Sequence, residues 1–305
     1  MKNLATIVAG ILLLSACSKS EVVEPQFDIS FENKNYKAGD TVVFNFEGNA
    51  ENMILYPGTP GADYEKRDRV EEQGTPILNF TSTLNNAGQV NTLKLLASTD
   101  FNGRYTQQDV AAASWVDITS RAQLATSATA RASGNIDLSD FLTVENKPLY
   151  LAFRYLGYQH ATLKQPKWAL TVFAVNNRLA DGSLMPITIA AETGWGKIDF
   201  KNVTTQWSTP ATGLISIDGT TVVAGAEKLN EDNDDWAISK PLNLKRVNPD
   251  KGIVLKHLSA SKVESYSYVF PEAGTYKVVC VGFNTNEGSR KEVIKELTIT
   301  INPAN

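Results

Sequence analysis

Two histidines, His160 and His257, set the first limit on the chemistry open to this chain of 305 residues. Hydrolysis of the Ser-His-Asp kind needs a histidine beside an activated serine. The Gly-x-Ser-x-Gly elbow that presents such a serine does not occur in the sequence. His257 stands in an apolar run typical of a strand, where an imidazole is usually a hydrogen-bonded structural group, whereas His160 lies in a polar loop and is better placed to contact a ligand. The sequence therefore disfavours nucleophilic catalysis.

The 33 aspartates and glutamates leave glycoside hydrolysis open, because that chemistry needs only two carboxylates at the right separation. No pair stands out from the sequence. A glycosidase predicts an acidic pair that faces one cleft, with at least one carboxylate in an apolar setting. Because the sequence singles out no such pair, we expect a protein that is not an enzyme.

The acidic run at 230–235 alternates oxygen-bearing side chains in the manner of a calcium loop but departs from the EF-hand pattern. Asp235 replaces the turn glycine, and Pro241 stands where the bidentate glutamate should be. A solvated acidic loop is the simpler interpretation. With two cysteines and two histidines in the whole sequence, cysteine-rich zinc sites and multi-histidine centres are excluded.

Aromatic side chains suit a binding role, because sugars present flat C–H faces that stack on aromatic rings. Trp195 lies between two glycines, and Trp207 lies in a polar segment rich in turn residues. The predicted ligand contacts are Trp195, Trp207, Tyr155, Tyr158 and His160. The competing interpretation is that these aromatic residues close the edge of a β-sandwich.

The remaining tryptophans are predicted to be structural. Trp115 and Trp168 fall in runs typical of core strands, and Trp236 precedes an apolar pair that suits a junction between domains. Cys280 lies in an apolar run and is predicted to be a small buried residue rather than a reactive thiol.

The start of the chain carries its most specific motif. A cationic start precedes an apolar run at 4–14 that is too short for a permanent membrane span. The run ends in Leu-Ser-Ala-Cys, which resembles the bacterial lipobox, so Cys17 is predicted to carry a diacylglycerol anchor once residues 1–16 are removed as a signal peptide. At about 0.8 kcal/mol per buried methylene, such acyl chains hold a protein at a membrane effectively permanently.

Residues 17–26 are polar, contain Pro25 and are predicted to form a tether. Ser18, in place of the aspartate that commonly retains lipoproteins in the inner membrane, favours the outer membrane, with exposure at the cell surface left open. The net charge of −4 and the pI near 5.4 provide no basic surface for a nucleic acid, so no such partner is expected.

Beyond the tether, short β-branched and aromatic runs are divided by Gly, Pro, Asn and Asp, which predicts an all-β fold. Val42, Phe44 and Phe46 share one face of a strand. The two chain ends offer only about three and about four strands, against roughly seven in an immunoglobulin-like unit. We therefore predict one split domain, 27–70 plus 246–305, with residues 71–245 inserted as a second domain.

Ordered motifs along the chain resemble known families. Residues 38–44 and 268–278 resemble the two ends of a PKD-like, immunoglobulin-type β-sandwich, and segments near 98–103, 113–119 and 149–155 resemble cleaved-adhesin jelly rolls. The whole chain resembles Bacteroidota outer-membrane lipoproteins of the domain-of-unknown-function 5017 type, which are often encoded beside starch-utilisation-type glycan-uptake transporters.

The resemblance implies a PKD-like sandwich with an inserted jelly roll and transfers no catalytic residues. It implies no required cofactor, although jelly rolls often hold a structural calcium ion, for which Asp100, Asp232 and Asp234 are the candidates.

We expect a surface-tethered, non-catalytic component of a polysaccharide-uptake system that binds a glycan or a partner outer-membrane protein. The alternatives are an accessory subunit packed on an outer-membrane transporter and a carboxylate-dependent glycosidase.

Overall fold

The computed structural model describes residues 21–32, 34–86, 88–142, 147–160, 162–219 and 231–304. Cys17, the predicted signal peptide and the start of the tether lie outside these residues. Within them, 19 β-strands account for nearly all regular structure, beside one short α-helix and three single-turn 3₁₀-helices. The predicted all-β class is confirmed. The described segments contain no helix that is long and apolar enough to cross a membrane.

Most strands are joined by turns and short loops. They are β1 (Gln26–Phe31), β2 (Tyr36–Lys37), β3 (Thr41–Asn49), β4 (Asn52–Tyr56), β5 (Thr75–Asn85), β6 (Leu93–Ser98), β7 (Val116–Asp117), β8 (Arg131–Ala132), β9 (Ile136–Asp137), β10 (Tyr150–Gly157), β11 (Lys167–Arg178), β12 (Leu184–Ile189), β13 (Gly196–Lys201), β14 (Ile215–Asp218), β15 (Asn233–Ile238), β16 (Ile253–Lys256), β17 (Ser265–Val269), β18 (Gly274–Thr285) and β19 (Arg290–Asn302). The helix α1 spans Gln107–Ala112.

The chain folds into two compact units. The terminal unit comprises the residues up to Asp68 and from Asp250 onward, and the inserted unit runs from Arg69 to Pro249. The boundaries predicted from the sequence, 70/71 and 245/246, differ from these by two residues at the first crossing and four at the second.

The terminal unit is built from two sheets, in the orders β1-β3-β17 and β16-β4-β18-β19-β2. Val42, Phe44 and Phe46 of β3 point inward, as the sequence predicts, and are at most 5% exposed. They share one core with side chains from the opposite sheet, including Cys280. Burial raises the pKa of the Cys280 thiol to about 12, which confirms it as an unreactive core residue.

The inserted unit also has two sheets. One has the order β13-β15-β10-β6-β7, and the other has the order β12-β11-β5-β8, with β14 and β9 paired at its margins. Their facing sides enclose the largest hydrophobic core, which includes Phe80, Phe153, Trp168 and Phe173. The burial of Trp168 confirms its predicted core role.

A second hydrophobic cluster lies on the outer face of the β13-β15-β10-β6-β7 sheet. In β10, Leu151, Phe153 and Tyr155 belong to the inner core, and the alternate residues Tyr150 and Ala152 belong to this outer cluster. Helix α1 and its flanking loops cover part of the outer face. Thr106 caps the helix by accepting a hydrogen bond from the Asp109 N–H at 3.1 Å.

Candidate ligand-binding site

A pocket lies on the outer face of the β13-β15-β10-β6-β7 sheet, within the inserted unit. Its volume is about 490 Å³. Arg154 lies at its centre in the strand register, with Lys94 of β6 on one side and Trp236 of β15 on the other. We call this cavity the outer-face pocket. Its lining residues are Lys94, Leu96, Val110, Ala111, Ala113, Trp115, Asp117, Arg154, Leu156, Phe200, Asp234 and Trp236.

Three aromatic rings form one continuous wall of the outer-face pocket. The ring centroids of Trp115 and Trp236 are 5.2 Å apart, and those of Phe200 and Trp236 are 6.1 Å apart. Trp236 is 6% exposed and supports the other two rings, which are partly exposed. The Trp115 indole N–H donates to the Val110 carbonyl at 3.0 Å, so helix α1 fixes the ring. The wall therefore presents apolar ring surface on rigid elements.

Arg154 and Asp234 form a bidentate ion pair. The guanidinium Nε donates to Asp234 Oδ1 at 2.8 Å and Nη2 donates to Oδ2 at 2.6 Å. The Trp236 indole N–H also donates to Asp234 Oδ1, at 3.0 Å. Hydrogen bonding to Asp234 raises the pKa of Arg154, and the guanidinium lies 5.0 Å from the Trp236 ring centroid. Three hydrogen bonds therefore hold the Asp234 carboxylate beside Arg154 and Trp236.

Lys94 and Asp117 form a second ion pair, with Lys94 Nζ 3.1 Å from Asp117 Oδ2. The Thr119 N–H donates to Asp117 Oδ1 at 2.9 Å. Desolvation opposes the ionisation of Asp117, but the hydrogen bonds from Thr119 and Lys94 outweigh it and lower the pKa of the carboxyl. Both carboxylates that line the pocket are therefore held against a cation.

The lining of the pocket combines aromatic rings with two cations and two carboxylates. Among the described residues, this lining includes no histidine, cysteine or serine. A glycosidase would need one carboxyl with a raised pKa, whereas the pKa of Asp117 is lowered. Ring surface beside fixed polar groups is the usual composition of a small-molecule site.

Part of the chain matches a known protein family. A family model described as domain of unknown function (DUF5017) matches residues 16–195. This match covers more than half of the chain. The chain belongs to the DUF5017 family. No curated protein matches the chain. The segment matched to DUF5017 includes Lys94, Trp115, Asp117 and Arg154 of the outer-face pocket, whereas Phe200, Asp234 and Trp236 follow it.

In this DUF5017 chain, Trp207 and Tyr155 are core residues, so their prediction as ligand contacts was wrong. Trp207 is 1% exposed, and its indole N–H donates to the Asp235 carbonyl at 3.0 Å. Tyr155 is completely buried, its hydroxyl donates to the Pro166 carbonyl at 2.9 Å, and burial raises its pKa. Both residues face the inner side of the sheet, away from the outer-face pocket.

Trp195, Tyr158 and His160 also lie apart from the lining of the outer-face pocket. Trp195 is partly buried and packs 5.0 Å from the Phe173 ring centroid. Tyr158 and His160 are exposed, as expected of ligand contacts, but His160 Nδ1 accepts hydrogen bonds from the backbone N–H groups of two loop residues that follow it. Contact between these three residues and a ligand remains a prediction.

The expectations for Trp115 and His257 need correction. Trp115 is partly exposed in the pocket wall, where it packs against Trp236, rather than in the sandwich core. His257 follows the end of β16 and is exposed, so it is no buried strand residue.

The proposed calcium ligands each bind groups of the protein. Asp100 accepts from Ser98 and from the Ser114 N–H, Asp232 accepts from the Gln159 N–H and Lys201, and Asp234 binds Arg154. In the part of the chain that the structure describes, no three His, Cys, Asp or Glu side chains are grouped to hold a metal ion. Structural calcium stays a prediction.

An acidic pair does occur, but it faces the core. Asp199 and Asp235 are cross-strand partners in β13 and β15, and Asp235 is completely buried. Desolvation, and secondarily the neighbouring Asp199, raise the pKa of Asp235 to about 9. Neither residue lines the outer-face pocket. Asp235 therefore has the predicted apolar setting, and the pair lies outside the outer-face pocket.

The acidic run at 230–235 was expected to be a solvated loop, which is wrong from Asn233 onward because those residues form β15. The pocket itself was missed for a related reason. In β10 the apolar residues continue on both faces, which indicates a sheet covered on both sides and breaks only at Arg154. That polar residue within an apolar strand was the available signal.

Proposed function

We propose that this DUF5017 protein is a lipid-anchored, non-catalytic carbohydrate-binding protein whose binding site is the outer-face pocket. One observation carries the proposal: the partly exposed rings of Trp115 and Phe200 lie beside two ion pairs in one cavity of about 490 Å³. Sugar rings are bound by stacking on aromatic surface and by hydrogen bonds to their hydroxyls. The volume falls within the range of about 300–1,000 Å³ that is usual for small-molecule sites.

The aromatic wall is held in place before a ligand arrives, which supports a role in binding. Trp115 packs on Phe101 and Trp236, with centroid distances of 5.6 and 5.2 Å, and its indole N–H is already hydrogen-bonded to the backbone. Because these contacts hold the ring before a ligand arrives, little side-chain entropy is lost on binding. Arg154 and Lys94 are likewise held by their carboxylates.

The test is binding of the soluble protein from Ser18 onward to a panel of neutral and acidic oligosaccharides, measured by isothermal titration calorimetry. We expect Trp115→Ala and Phe200→Ala each to weaken binding by about tenfold or more. Tyr158→Ala is the matched control, because Tyr158 is 55% exposed in the same unit but does not line the pocket. If the ligand binds in the outer-face pocket, the control should bind as the unsubstituted protein does.

Three outcomes would overturn this site or this function. If Tyr158→Ala abolishes binding while Trp115→Ala does not, the ligand binds elsewhere. Turnover of an oligosaccharide would identify an enzyme. Co-purification with an outer-membrane transporter, without affinity for any sugar, would identify the accessory-subunit alternative.

The anchored location rests on the leader, which ends in Leu-Ser-Ala-Cys at Cys17. Acylation at Cys17 would hold the folded units at the outer membrane through the polar tether. In cells that process bacterial lipoproteins, a fatty-acid probe should label the protein and Cys17→Ser should abolish the labelling. Labelling that persists in Cys17→Ser would contradict the anchor.

A further inference from the structure

The four charged side chains of the outer-face pocket have an ordered arrangement. Arg154 and Lys94 are direct cross-strand partners in β10 and β6, where Cα atoms lie about 4.5–5.5 Å apart. Each cation pairs outward with its own carboxylate, Arg154 with Asp234 and Lys94 with Asp117. The order across the pocket is therefore negative, positive, positive, negative. Like charges opposite each other are unfavourable, and this central pair is tolerated because each member is neutralised from outside.

The hydrogen-bonding capacity left in the pocket is dominated by donors. Asp234 accepts from Arg154 Nε, Arg154 Nη2 and the Trp236 indole N–H, and Asp117 accepts from Lys94 and the Thr119 N–H. Arg154 Nη1, by contrast, has no hydrogen-bond partner among the described residues, and Lys94 Nζ is engaged only by Asp117. A ligand at the centre of the pocket thus meets unused N–H groups of two cations.

The geometry of Arg154 favours a planar anion. Its Nε and Nη2 side is occupied by Asp234, so the end of the guanidinium that carries Nη1 stays available for a second fork-like contact. The same guanidinium lies 5.0 Å from the Trp236 ring centroid, and Trp236 contacts the partly exposed rings of Trp115 and Phe200. The anion site and the stacking surface are therefore contiguous.

We propose that the ligand of the outer-face pocket is a uronate-containing saccharide whose carboxylate binds between Arg154 and Lys94 while its ring stacks on the aromatic wall. This assignment rests on the carbohydrate-binding function proposed above and names its substrate class. The carboxylate gains charge-assisted hydrogen bonds from two cations that have already paid their desolvation beside Asp234 and Asp117. A neutral sugar of the same shape forms the stacking contacts but leaves this donor pair unused.

Calorimetric titrations of the full soluble chain with matched oligosaccharides test the assignment. The probes are oligomers of galacturonate, glucuronate and mannuronate, each compared with its neutral counterpart of equal length, together with methyl-esterified oligogalacturonate and a sulfated galactan oligomer. We expect at least one uronate oligomer to bind about tenfold or more tightly than its neutral counterpart, with an affinity that falls as NaCl is raised. Esterification should remove the preference.

Lys94→Gln removes the positive charge of Lys94 with little expected effect on folding. The ion pair that Lys94 forms with Asp117 is partly exposed, and such pairs contribute little to stability. The substitution should reduce the affinity for the uronate by about tenfold more than it reduces the affinity for the neutral oligomer. Lys167→Gln is the matched control, since Lys167 forms a similar surface pair with Asp218 at 3.2 Å outside the pocket.

The outcomes distinguish the two proposals. Two outcomes overturn the uronate assignment but leave carbohydrate binding standing. They are equal binding of neutral and uronate oligomers, and exclusive binding of the sulfated oligomer. Failure of every oligosaccharide to bind overturns the proposed function itself. A uronate preference that survives Lys94→Gln unchanged places the carboxylate outside this donor pair and contradicts the assignment.

Discussion

Asp235 is the most unusual ionisable residue in the described chain. It is completely buried beside Asp199, and neither of its carboxyl oxygens has a conventional hydrogen-bond donor within the described residues. Protonation resolves this, because a neutral Asp235 can donate a hydrogen bond to Asp199, which also accepts a hydrogen bond from Gln206 Nε2 at 2.8 Å. The strand that carries Trp236 and Asp234 into the pocket therefore has, on its inner side, a carboxyl whose neutral form is favoured by burial.

This residue makes stability depend on pH in a defined direction. The pKa of Asp235 is raised to about 9 in the folded protein, against about 3.9 in an unfolded chain. Between these values the folded state holds the extra proton, so the free energy of unfolding falls as pH rises, by up to about 1.4 kcal/mol per pH unit. We expect Asp235→Asn to be more stable than the unsubstituted protein at pH 7, with a difference that grows from pH 5 to pH 9.

Urea unfolding at pH 5, 7 and 9 measures this difference. Asp232→Asn is the control, because Asp232 is a partly exposed carboxylate nearby and its pKa is lowered by the Gln159 N–H and Lys201. Its difference from the unsubstituted protein should be constant over this range. An Asp235→Asn difference that is equally constant would show that Asp235 is ionised in the folded state.

Trp207 gives the complementary prediction for an aromatic residue in the core. Its ring is 1% exposed and lies 6.3 Å from that of Phe153, so Trp207→Ala should lower the free energy of unfolding by about 3–5 kcal/mol. At temperatures where the variant is folded, its affinity for an oligosaccharide should match that of the unsubstituted protein. Loss of binding without loss of stability would return Trp207 to the list of ligand contacts.

The sequence predicts residue type and strand period more reliably than it predicts which face of a sheet is covered. Val42, Phe44 and Phe46 were placed correctly because alternation alone assigns them to one side. Trp207 was misplaced because polar neighbours suggested exposure, whereas its ring fills the core and satisfies its N–H on a distant strand. Trp115 was misplaced in the opposite sense, because a nearby helix, α1, and Trp236 decide how much of the ring remains exposed.

Strand β11 contains a bulge that positions part of the inserted core. Its register with β5 shifts between Thr171 and Ala174, and Val172 adopts φ 54°, in the left-handed region that β-branched residues rarely occupy. Val172 points to solvent at 74% exposure, and Phe173 is consequently buried against Phe153 and Trp195. The strained residue thus serves to insert its neighbour into the core.

Because the left-handed conformation costs a branched residue about 1–2 kcal/mol, Val172→Gly should raise the free energy of unfolding by about 1 kcal/mol. Chemical denaturation measures the change. The same substitution at Val43, an exposed valine in regular strand β3, should lower stability instead, because glycine weakens an ordinary strand. Destabilisation at both positions would mean that the bulge conformation is not strained.

Strand β15 shows why an element can escape detection from sequence. Its acidic composition is typical of a loop, yet Asp234 is paired with Arg154, 80 residues earlier in the chain, and burial beside Asp199 raises the pKa of Asp235. Neither partner is visible in the local pattern. The charge of these residues could be read from the sequence, whereas their compensation depends on tertiary contacts.

At the scale of the whole molecule, each unit brings the two chain crossings close together. In the terminal unit, the Asp250 N–H donates to the Lys66 carbonyl at 3.1 Å. In the inserted unit, the Val247 N–H donates to the Val70 carbonyl at 3.0 Å. An insertion whose ends are adjacent costs its host little loop-closure entropy. The low strand count at each chain end, which led to the split-domain prediction, reflects this arrangement.

Since each unit has its own hydrophobic core, we expect each to fold without the other. A fragment of residues 69–249 should show a β-type circular dichroism spectrum, unfold cooperatively in urea and bind the same oligosaccharide as the full chain with the same affinity. The terminal unit, with Asp68 joined to Asp250 through a short Gly-Ser linker, should also unfold cooperatively but bind no sugar. The two fragments serve as controls for each other. A soluble but unfolded 69–249 fragment would show that the inserted core depends on the terminal unit for its stability, and binding by the terminal unit would place the ligand site outside the outer-face pocket.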